Sequence, residues 1–258
     1  MTTLVDVHAH LARQDVFQRA SELIKEALEN NVRIIIVSVQ NEIELKNGLQ
    51  LRKQYSTITY LSIGQELSDF TIHTYNMFSK IIHKLIEEKH VVAIGEVGLD
   101  YSKIRDNMLK NIARAIFEKW VELAKKLNIP IIVHSHRAYN DVLTILENYD
   151  VKKVILHAYS GGTETAKKAI DRGYYFSIPP SIMHSKQKQK LVNILPLENM
   201  LLESDTPELG PVFGQESRPS HVKIVAEKIA EIKQIDFEEV AYVTTRNFER
   251  LFNMRVLD

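Results

Sequence analysis

Short apolar segments alternate with longer, helix-like segments along the whole chain, and this alternation limits the possible folds more than any other feature. Residues 33–39 read R-I-I-I-V-S-V, a nearly all-apolar run typical of a strand buried on both faces of a parallel sheet. Residues 106–127 instead carry their apolar side chains on one helical stripe. Periodicity predicts eight strands, at 4–10, 33–39, 58–63, 91–94, 131–134, 153–157, 174–178 and 200–205.

Strict alternation of strands and helices implies a parallel sheet, either an open doubly wound sheet or a closed barrel. An open sheet of the dinucleotide-binding type has a glycine-rich turn after its first strand, where this chain has His8-Ala9-His10. We therefore predict an α/β fold, a single (β/α)8 TIM barrel domain over residues 1–258. Two or three extra C-terminal helices are predicted, over 220–232, 236–242 and 245–252.

The overall charge does not direct the protein towards nucleic acid or a membrane, since 33 lysines and arginines balance 33 aspartates and glutamates. A polyanionic substrate would need local positive charge. The chain has no cysteine, which excludes disulfides and thiolate chemistry. No apolar run reaches membrane-spanning length and residues 1–3 lead straight into a strand, so we expect a cytoplasmic protein with no membrane partner.

Two histidines two residues apart end the first predicted strand. Side chains alternate along a strand, so His8 and His10 are expected on one face, where both can reach one metal ion. Histidines at a strand end can equally be satisfied core or rim residues. The rest of the chain favours the metal hypothesis, because other metal-capable side chains also follow strands: Glu96, His134, His157 and Asp205.

These six side chains lie at the strand ends where barrels of this type place their active sites. Four imidazoles and two carboxylates exceed what one tetrahedral ion needs and suit two divalent cations with a shared water. We assign His8, His10 and Asp205 to one ion and His134 and His157 to the other. Glu96 is placed between them. Imidazole-rich ligation suits Zn, Mn, Co or Ni better than Mg, although availability also affects which ion binds.

This arrangement predicts hydrolysis. Two cations would lower the pKa of the shared water, and Asp205 would accept its proton as ligand and general base. Glu203 shares a strand face with Asp205 and is expected to support the ligands. Weaker candidates for substrate contacts are Ser160, Gly161, Arg218 and His136, all of which also fit ordinary loop positions.

Several motifs together resemble the TatD-related metal-dependent deoxyribonucleases, within the amidohydrolase-like barrels. Residues 6–10 match the opening D-x-H-x-H, and residues 95–101 read G-E-V-G-L-D-Y. Residues 157–161 match H-x-[FY]-S-G, and residues 201–207 match L-L-E-[ST]-D-x-P. Residues 130–135 and the closing T-x-N-x-x-R-L-F segment at 245–252 extend the similarity along most of the chain.

The resemblance implies a (β/α)8 barrel that binds two divalent metals and hydrolyses phosphodiester bonds in DNA. Its ligand roles would carry over to the six residues assigned above. Two positions depart from the pattern. The family's G-x-H-P stretch reads Gly64-Gln65-Glu66-Leu67, which lacks the substrate-facing histidine, and His136 stands where an arginine is usual.

Three functions follow as hypotheses. The leading one is a metal-dependent deoxyribonuclease that cuts DNA through an activated bridging water. The alternative is another hydrolase on the same centre, acting on a lactone, amide or small phosphoester, because a fold does not fix a function. The third is a non-catalytic metal-binding barrel, which the complete ligand set and a general base at Asp205 argue against.

Overall fold

The computed structural model describes residues 2–102 and 104–256, and in it eight parallel strands form one sheet in sequence order. The strands are β1 (Leu4–Ala9), β2 (Val32–Val39), β3 (Thr59–Ile63), β4 (Val91–Asp100), β5 (Ile131–His136), β6 (Val154–Leu156), β7 (Tyr175–Ile178) and β8 (Met200–Leu202). The predicted eight-stranded (β/α)8 barrel with extra C-terminal helices is thus confirmed.

Helices follow the strands on the outside of the sheet. They are α1 (Gln14–Phe17), α2 (Ala20–Glu29), α3 (Glu42–Gln54), α4 (His73–Glu87), α5 (Asn107–Leu127), α6 (Tyr139–Asn148), α7 (Thr163–Asp171), α8 (Lys186–Ile194), α9 (Val222–Lys233) and α10 (Phe237–Phe252), with 3₁₀ turns at Pro180–Met183, Leu197–Asn199 and Pro219–His221. No helix of the described residues is long and apolar enough to cross a membrane.

Hydrogen bonds between the ends of β8 and β1 bring the sheet close to a closed barrel. The Asp205 amide donates to the carbonyl of His8 over 2.9 Å, and the His10 amide donates to the carbonyl of Thr206 over 2.8 Å. These bonds lie at the carboxyl ends of the strands, so they place two predicted ligand-bearing segments side by side.

Two apolar layers pack against the sheet, one on its outer face and one on its inner face. The larger lies between the strands and the helices, and the smaller fills the barrel interior with side chains such as Val5, Ile36 and Ile132. Phe248 and Phe252 of α10 join the interior layer and stack on each other with ring centroids 4.5 Å apart. They close the amino-terminal end of the barrel, which leaves the opposite end for a site.

The final two predicted segments form a single helix, so the structure has two of the two or three closing helices that the sequence predicts. The β-branched residues Val243, Thr244 and Thr245 have low helix propensity but do not terminate a helix. The Thr244 hydroxyl donates to the Val240 carbonyl within the helix over 2.8 Å, and the Thr245 hydroxyl donates to the Thr3 carbonyl over 2.9 Å. Because both hydroxyls are satisfied, α10 continues through this segment.

One extra residue interrupts the pairing of β1. Asp6 pairs with Ile35 and Ala9 with Val37, so three steps along β1 span two steps along β2. Simple alternation would put the interior residues Val5 and Val7 on the opposite face from the two histidines. The inserted residue reverses the alternation, which lets both valines and both histidines point inwards.

Strand β4 has the same irregularity at its predicted ligand. Ile94 pairs with Ile131 and Val97 with Val133, which again sets three steps against two. Ala93 therefore fills the interior while Glu96, three residues later, also reaches the mouth of the barrel. The extension of β4 to Asp100, six residues beyond its predicted end, follows from this continued pairing.

Asp6 ties β1 to the segment that follows β8. Its Oδ1 accepts hydrogen bonds from the Ser204 amide (2.8 Å) and from the His8 amide (3.2 Å). Burial raises the pKa of Asp6 to about 8, in spite of the opposing hydrogen bonds from Ser204, so the side chain is largely neutral at pH 7.

Asp6→Ala is expected to lower the free energy of unfolding by about 2 to 4 kcal/mol, because two buried amides lose their acceptor. Asp6→Asn keeps an acceptor oxygen and should lose clearly less. Urea denaturation of the two variants at pH 7 measures the difference. Equal losses in both variants would show that the acceptor does not hold the two segments together.

Candidate metal centre at the barrel mouth

Four ligand atoms converge at the carboxyl ends of β1, β4 and β8. The Nε2 atoms of His8 and His10 lie 3.1 Å apart. Each lies 3.5 Å from Oε2 of Glu96 and 3.5 Å from Oδ1 of Asp205. Nitrogen and carboxylate ligands about 2.0–2.2 Å from one cation have this kind of spacing, so the donor set fits a divalent metal ion.

A second group lies on the other side of the Glu96 carboxylate. Its Oε1 atom is 2.9 Å from Nδ1 of His134 and 4.0 Å from Nε2 of His157. His157 also approaches the first group, with its Nε2 3.6 Å from Oδ1 of Asp205. Glu96 therefore presents Oε2 to His8 and His10 and Oε1 to His134, and all six predicted ligands meet around this carboxylate. The donor atoms close enough to share one ion are those of His8, His10 and Asp205, and those of His8, Glu96 and His157.

Glu203 orients His157. Its Oε2 lies 2.6 Å from Nδ1 of His157, and its Oε1 accepts a hydrogen bond from the Ala158 amide over 3.0 Å. This fully buried carboxylate leaves Nε2 of His157 facing the centre. Such a carboxylate–imidazole pair fixes the tautomer and direction of a ligand, as predicted for Glu203.

Asp100 is a contact that the sequence analysis missed. Its Oδ2 lies 3.7 Å from Nε2 of His134, and its Oδ1 lies 3.5 Å from Nδ1 of His136. It is the aspartate of the G-E-V-G-L-D-Y segment, so the motif contained the signal. Our predicted β4 ended at residue 94 and left Asp100 in a loop, whereas the strand carries it to the mouth.

The two central carboxylates are ionised at neutral pH. Burial raises the pKa of the Glu96 carboxyl, but hydrogen bonds with His134 and His8 outweigh it and hold the pKa well below its usual range. Burial likewise opposes ionisation of Asp205, and the charge of His157 contributes to holding its pKa below the ordinary value. Both groups are thus in the protonation state that cation binding requires.

Three of the four imidazoles facing them favour positive charge, and the exception is His8, whose pKa burial lowers. Burial lowers the pKa of His157, but the charges of Glu203 and Asp205 raise it to about 10. Burial also opposes protonation of His134, but the nearby carboxylates of Asp100 and Glu96 raise its pKa to about 9. The carboxylates therefore stabilise positive charge here, whether protons or cations supply it.

A cavity of about 840 Å³ opens above the centre. Several predicted site residues contribute to its walls: His10, Glu96, His134, His136, His157, Ser160 and Asp205. His8 and Glu203 lie beneath it, fully buried. The ligands thus form the floor of a cleft large enough for part of a polymeric substrate.

Two weaker candidates lie elsewhere. The guanidinium of Arg218 forms an ion pair with Glu26 of α2 at 2.8 Å and does not contribute to the cavity wall. Gly161 lines a separate cavity of about 270 Å³ and accepts a hydrogen bond from Gln187. Ser160 does face the main cavity, with its hydroxyl 2.8 Å from that of Tyr139.

Other charged residues at the mouth had no role in the sequence analysis. The cavity wall includes Arg13, Glu44, Glu66, Lys188 and Glu208. Glu66 occupies the position where the G-x-H-P pattern has its histidine, so a carboxylate faces the cavity in place of an imidazole. Lys188 lies on α8, a helix for which the sequence predicts no role in the site.

Comparison with known proteins identifies the family. The model of the TatD related DNase family matches residues 5–253. The "Putative deoxyribonuclease TATDN3" of Mus musculus is 37% identical over 260 residues, covering 96% of this chain and 88% of the mouse protein. The "Uncharacterized metal-dependent hydrolase YabD" of Bacillus subtilis is 35% identical over 257 residues, covering 97% of this chain and 99% of YabD.

The fold agrees with solved structures. The TatD homolog YJJV from Escherichia coli superimposes with a TM-score of 0.87 at 24% identity, covering 98% of both chains. With a family model that spans nearly all of the described residues and the expected barrel around side chains that could hold a metal ion, this chain belongs to the TatD related DNase family of metal-dependent hydrolases.

Proposed function

We propose that this protein is a deoxyribonuclease that hydrolyses phosphodiester bonds of DNA with two divalent cations. The observation that carries the proposal is the position of Glu96, which presents Oε2 to His8 and His10 and Oε1 to His134. A carboxylate between two imidazole groups is the arrangement expected of a bridging ligand. The mouse relative named above, a deoxyribonuclease by name, supports the choice of substrate.

In this proposal His8, His10 and Asp205 hold one cation, His134 and His157 hold the other, and Glu96 contacts both. When bound, such cations lower the pKa of a shared water and offset negative charge on phosphate oxygens. The nitrogen-rich donor set suits Zn, Mn, Co or Ni better than Mg.

Asp205 has a second role in the proposal. Its Oδ1 lies within 3.6 Å of the imidazoles of His8, His10 and His157, and its pKa is held below the ordinary range. An ionised carboxylate at this position can accept the proton of an attacking water as its oxygen bonds to phosphorus. The leaving oxygen, whose bond to phosphorus breaks, takes a proton from solvent, and Asp205 later returns its own proton to solvent. Glu203 keeps His157 directed at the same point.

The negative charge of the cavity wall supports a requirement for bound cations in DNA binding. Six carboxylates contribute to its wall, against one arginine and one lysine: Glu44, Glu66, Glu96, Asp100, Asp205 and Glu208 against Arg13 and Lys188. Such a wall repels the phosphates of DNA unless bound cations reverse the sign at its floor. DNA binding should therefore depend on metal as strongly as catalysis does.

A second candidate function rests on Glu66. Its carboxylate lines the cavity where a substrate-facing histidine is expected, and it would lie close to the flanking phosphates of a DNA strand. A hydrolase of the same centre acting on a lactone, amide or small phosphoester would not meet this repulsion. A non-catalytic metal-binding barrel is the remaining alternative.

The three candidate functions predict different substrates for the purified protein. Single-stranded DNA, a lactone and an aryl phosphodiester are each incubated with Mn, Mg, Zn, Co or Ni, and with EDTA. We expect metal-dependent release of nucleotides that EDTA abolishes. Turnover of the lactone alone would support the second candidate, and tight metal binding without any turnover would support the third.

Asp205→Asn is expected to retain most of the bound metal but to lose about 10²- to 10⁴-fold in kcat, the usual scale of general-base removal. Metal content by elemental analysis and nuclease rates measure the two effects separately. Asp171→Asn, the same chemical change at the exposed last residue of α7, is the matched control. Undiminished turnover in Asp205→Asn would rule out the proton-accepting role.

Glu203→Gln should lower metal affinity or activity about 10- to 100-fold, because His157 loses the carboxylate that orients it. Titration of the metal-free protein with Mn measures the affinity. Glu198→Gln changes an exposed glutamate five residues earlier and should behave as the wild type. If both variants bind Mn equally well, Glu203 does not position the ligand.

A further inference from the structure

Lys188 is a buried cation beside the metal centre. Its side chain projects from the same face of α8 as the buried residues Leu191 and Val192, and the residue is only 6% exposed. The neighbouring lysines of the helix, Lys186 and Lys190, are both exposed. A buried ammonium is costly unless it is paired, so its position on the inner face calls for a partner.

The protein itself satisfies only part of the hydrogen-bonding capacity of this ammonium. The Nζ atom of Lys188 donates one hydrogen bond, to the Ala158 carbonyl over 2.9 Å. Within residues 2–102 and 104–256, it forms no ion pair with a carboxylate. An ammonium has three donors, so two remain for a ligand.

The location of these donors indicates what the ligand is. Lys188 lines the same cavity as His157, Ser160 and Asp205, and its one acceptor belongs to the residue directly after His157. Its free donors are therefore available to an anionic group bound above the centre. Lysine commonly binds phosphate as a compact positive charge.

We propose that the ammonium of Lys188 binds a non-bridging oxygen of the substrate phosphate at the centre. The inference rests on the proposed phosphodiesterase function. It adds to the metal ligands a direct contact from α8, and it makes Lys188 a catalytic residue if the contact strengthens as negative charge builds on the phosphate.

Electrostatics agree with this role. Burial lowers the pKa of Lys188 to about 8, and the charges of Glu203 and Asp205 act against a larger fall. The side chain is therefore mainly protonated at pH 7, as phosphate binding requires. The alternative is a purely structural role, in which Lys188 only anchors the turn after β6 through the Ala158 carbonyl.

Lys188→Met and Lys190→Met test the two roles. Methionine has a similar length without charge, and Lys190 is the matched exposed lysine of the same helix. The probe is thymidine 5′-phosphate, whose dissociation constant is measured by calorimetry with the Mn-loaded proteins. We expect about 10- to 100-fold weaker binding in Lys188→Met, with unchanged metal content, and wild-type affinity in Lys190→Met.

Unchanged nucleotide affinity in a folded, Mn-loaded Lys188→Met protein would overturn the proposal. If that variant does not fold, a crystal structure of the wild type with Mn and thymidine 5′-phosphate decides. A phosphate oxygen within about 3.2 Å of Nζ supports the contact, and a separation beyond about 4.5 Å contradicts it.

The outcome can be separated from the fate of the nuclease proposal. If the wild type binds the nucleotide through Lys188 but does not cleave DNA, the phosphate site is supported and the deoxyribonuclease function is contradicted. If the wild type cleaves DNA, and Lys188→Met has the same kcat/KM and the same nucleotide affinity, the deoxyribonuclease function is supported. The role of Lys188 is then contradicted.

Discussion

The sharing of one carboxylate between two sets of imidazoles is the interaction on which the mouth of this barrel depends. Glu96 lies 3.5 Å from His8 and His10 through one oxygen and 2.9 Å from His134 through the other. Asp205 also reaches both sets, with its Oδ1 3.5 Å from His8 and His10 and 3.6 Å from His157. Burying an ionised carboxylate there is costly, and the surrounding positive charge offsets that cost.

The backbone of the barrel accommodates this interaction by two insertions. A strand that fills the interior with every second side chain cannot also direct the intervening ones inwards. In β1 and β4 one extra residue changes the alternation just where the interior ends and the mouth begins. In β5 the interior residue Ile132 and the predicted ligand His134 are already two apart, and β5 pairs without such an insertion at that point.

The supporting groups show how a barrel can hold many charges at one end. Glu203 and Asp100 each pair with a histidine that faces the centre, so the imidazoles are oriented from behind. Asp6, deeper in the barrel, is largely neutral and serves as a backbone acceptor that joins β1 to β8. Carboxyl groups thus have different roles in this barrel, because burial and neighbouring groups set their protonation states.

The sequence by itself determined the barrel, since the alternation of apolar runs and amphipathic helices is a local property of the chain. It also determined which six side chains meet, because parallel strands of a barrel bring their carboxyl ends to one rim. Only the tertiary structure decided the insertions in β1 and β4, the continuous α10 and the position of Arg218 beside Glu26. It also revealed Lys188 and Asp100 at the site. These depend on pairing registers and on contacts between segments far apart in the chain, which local periodicity does not encode.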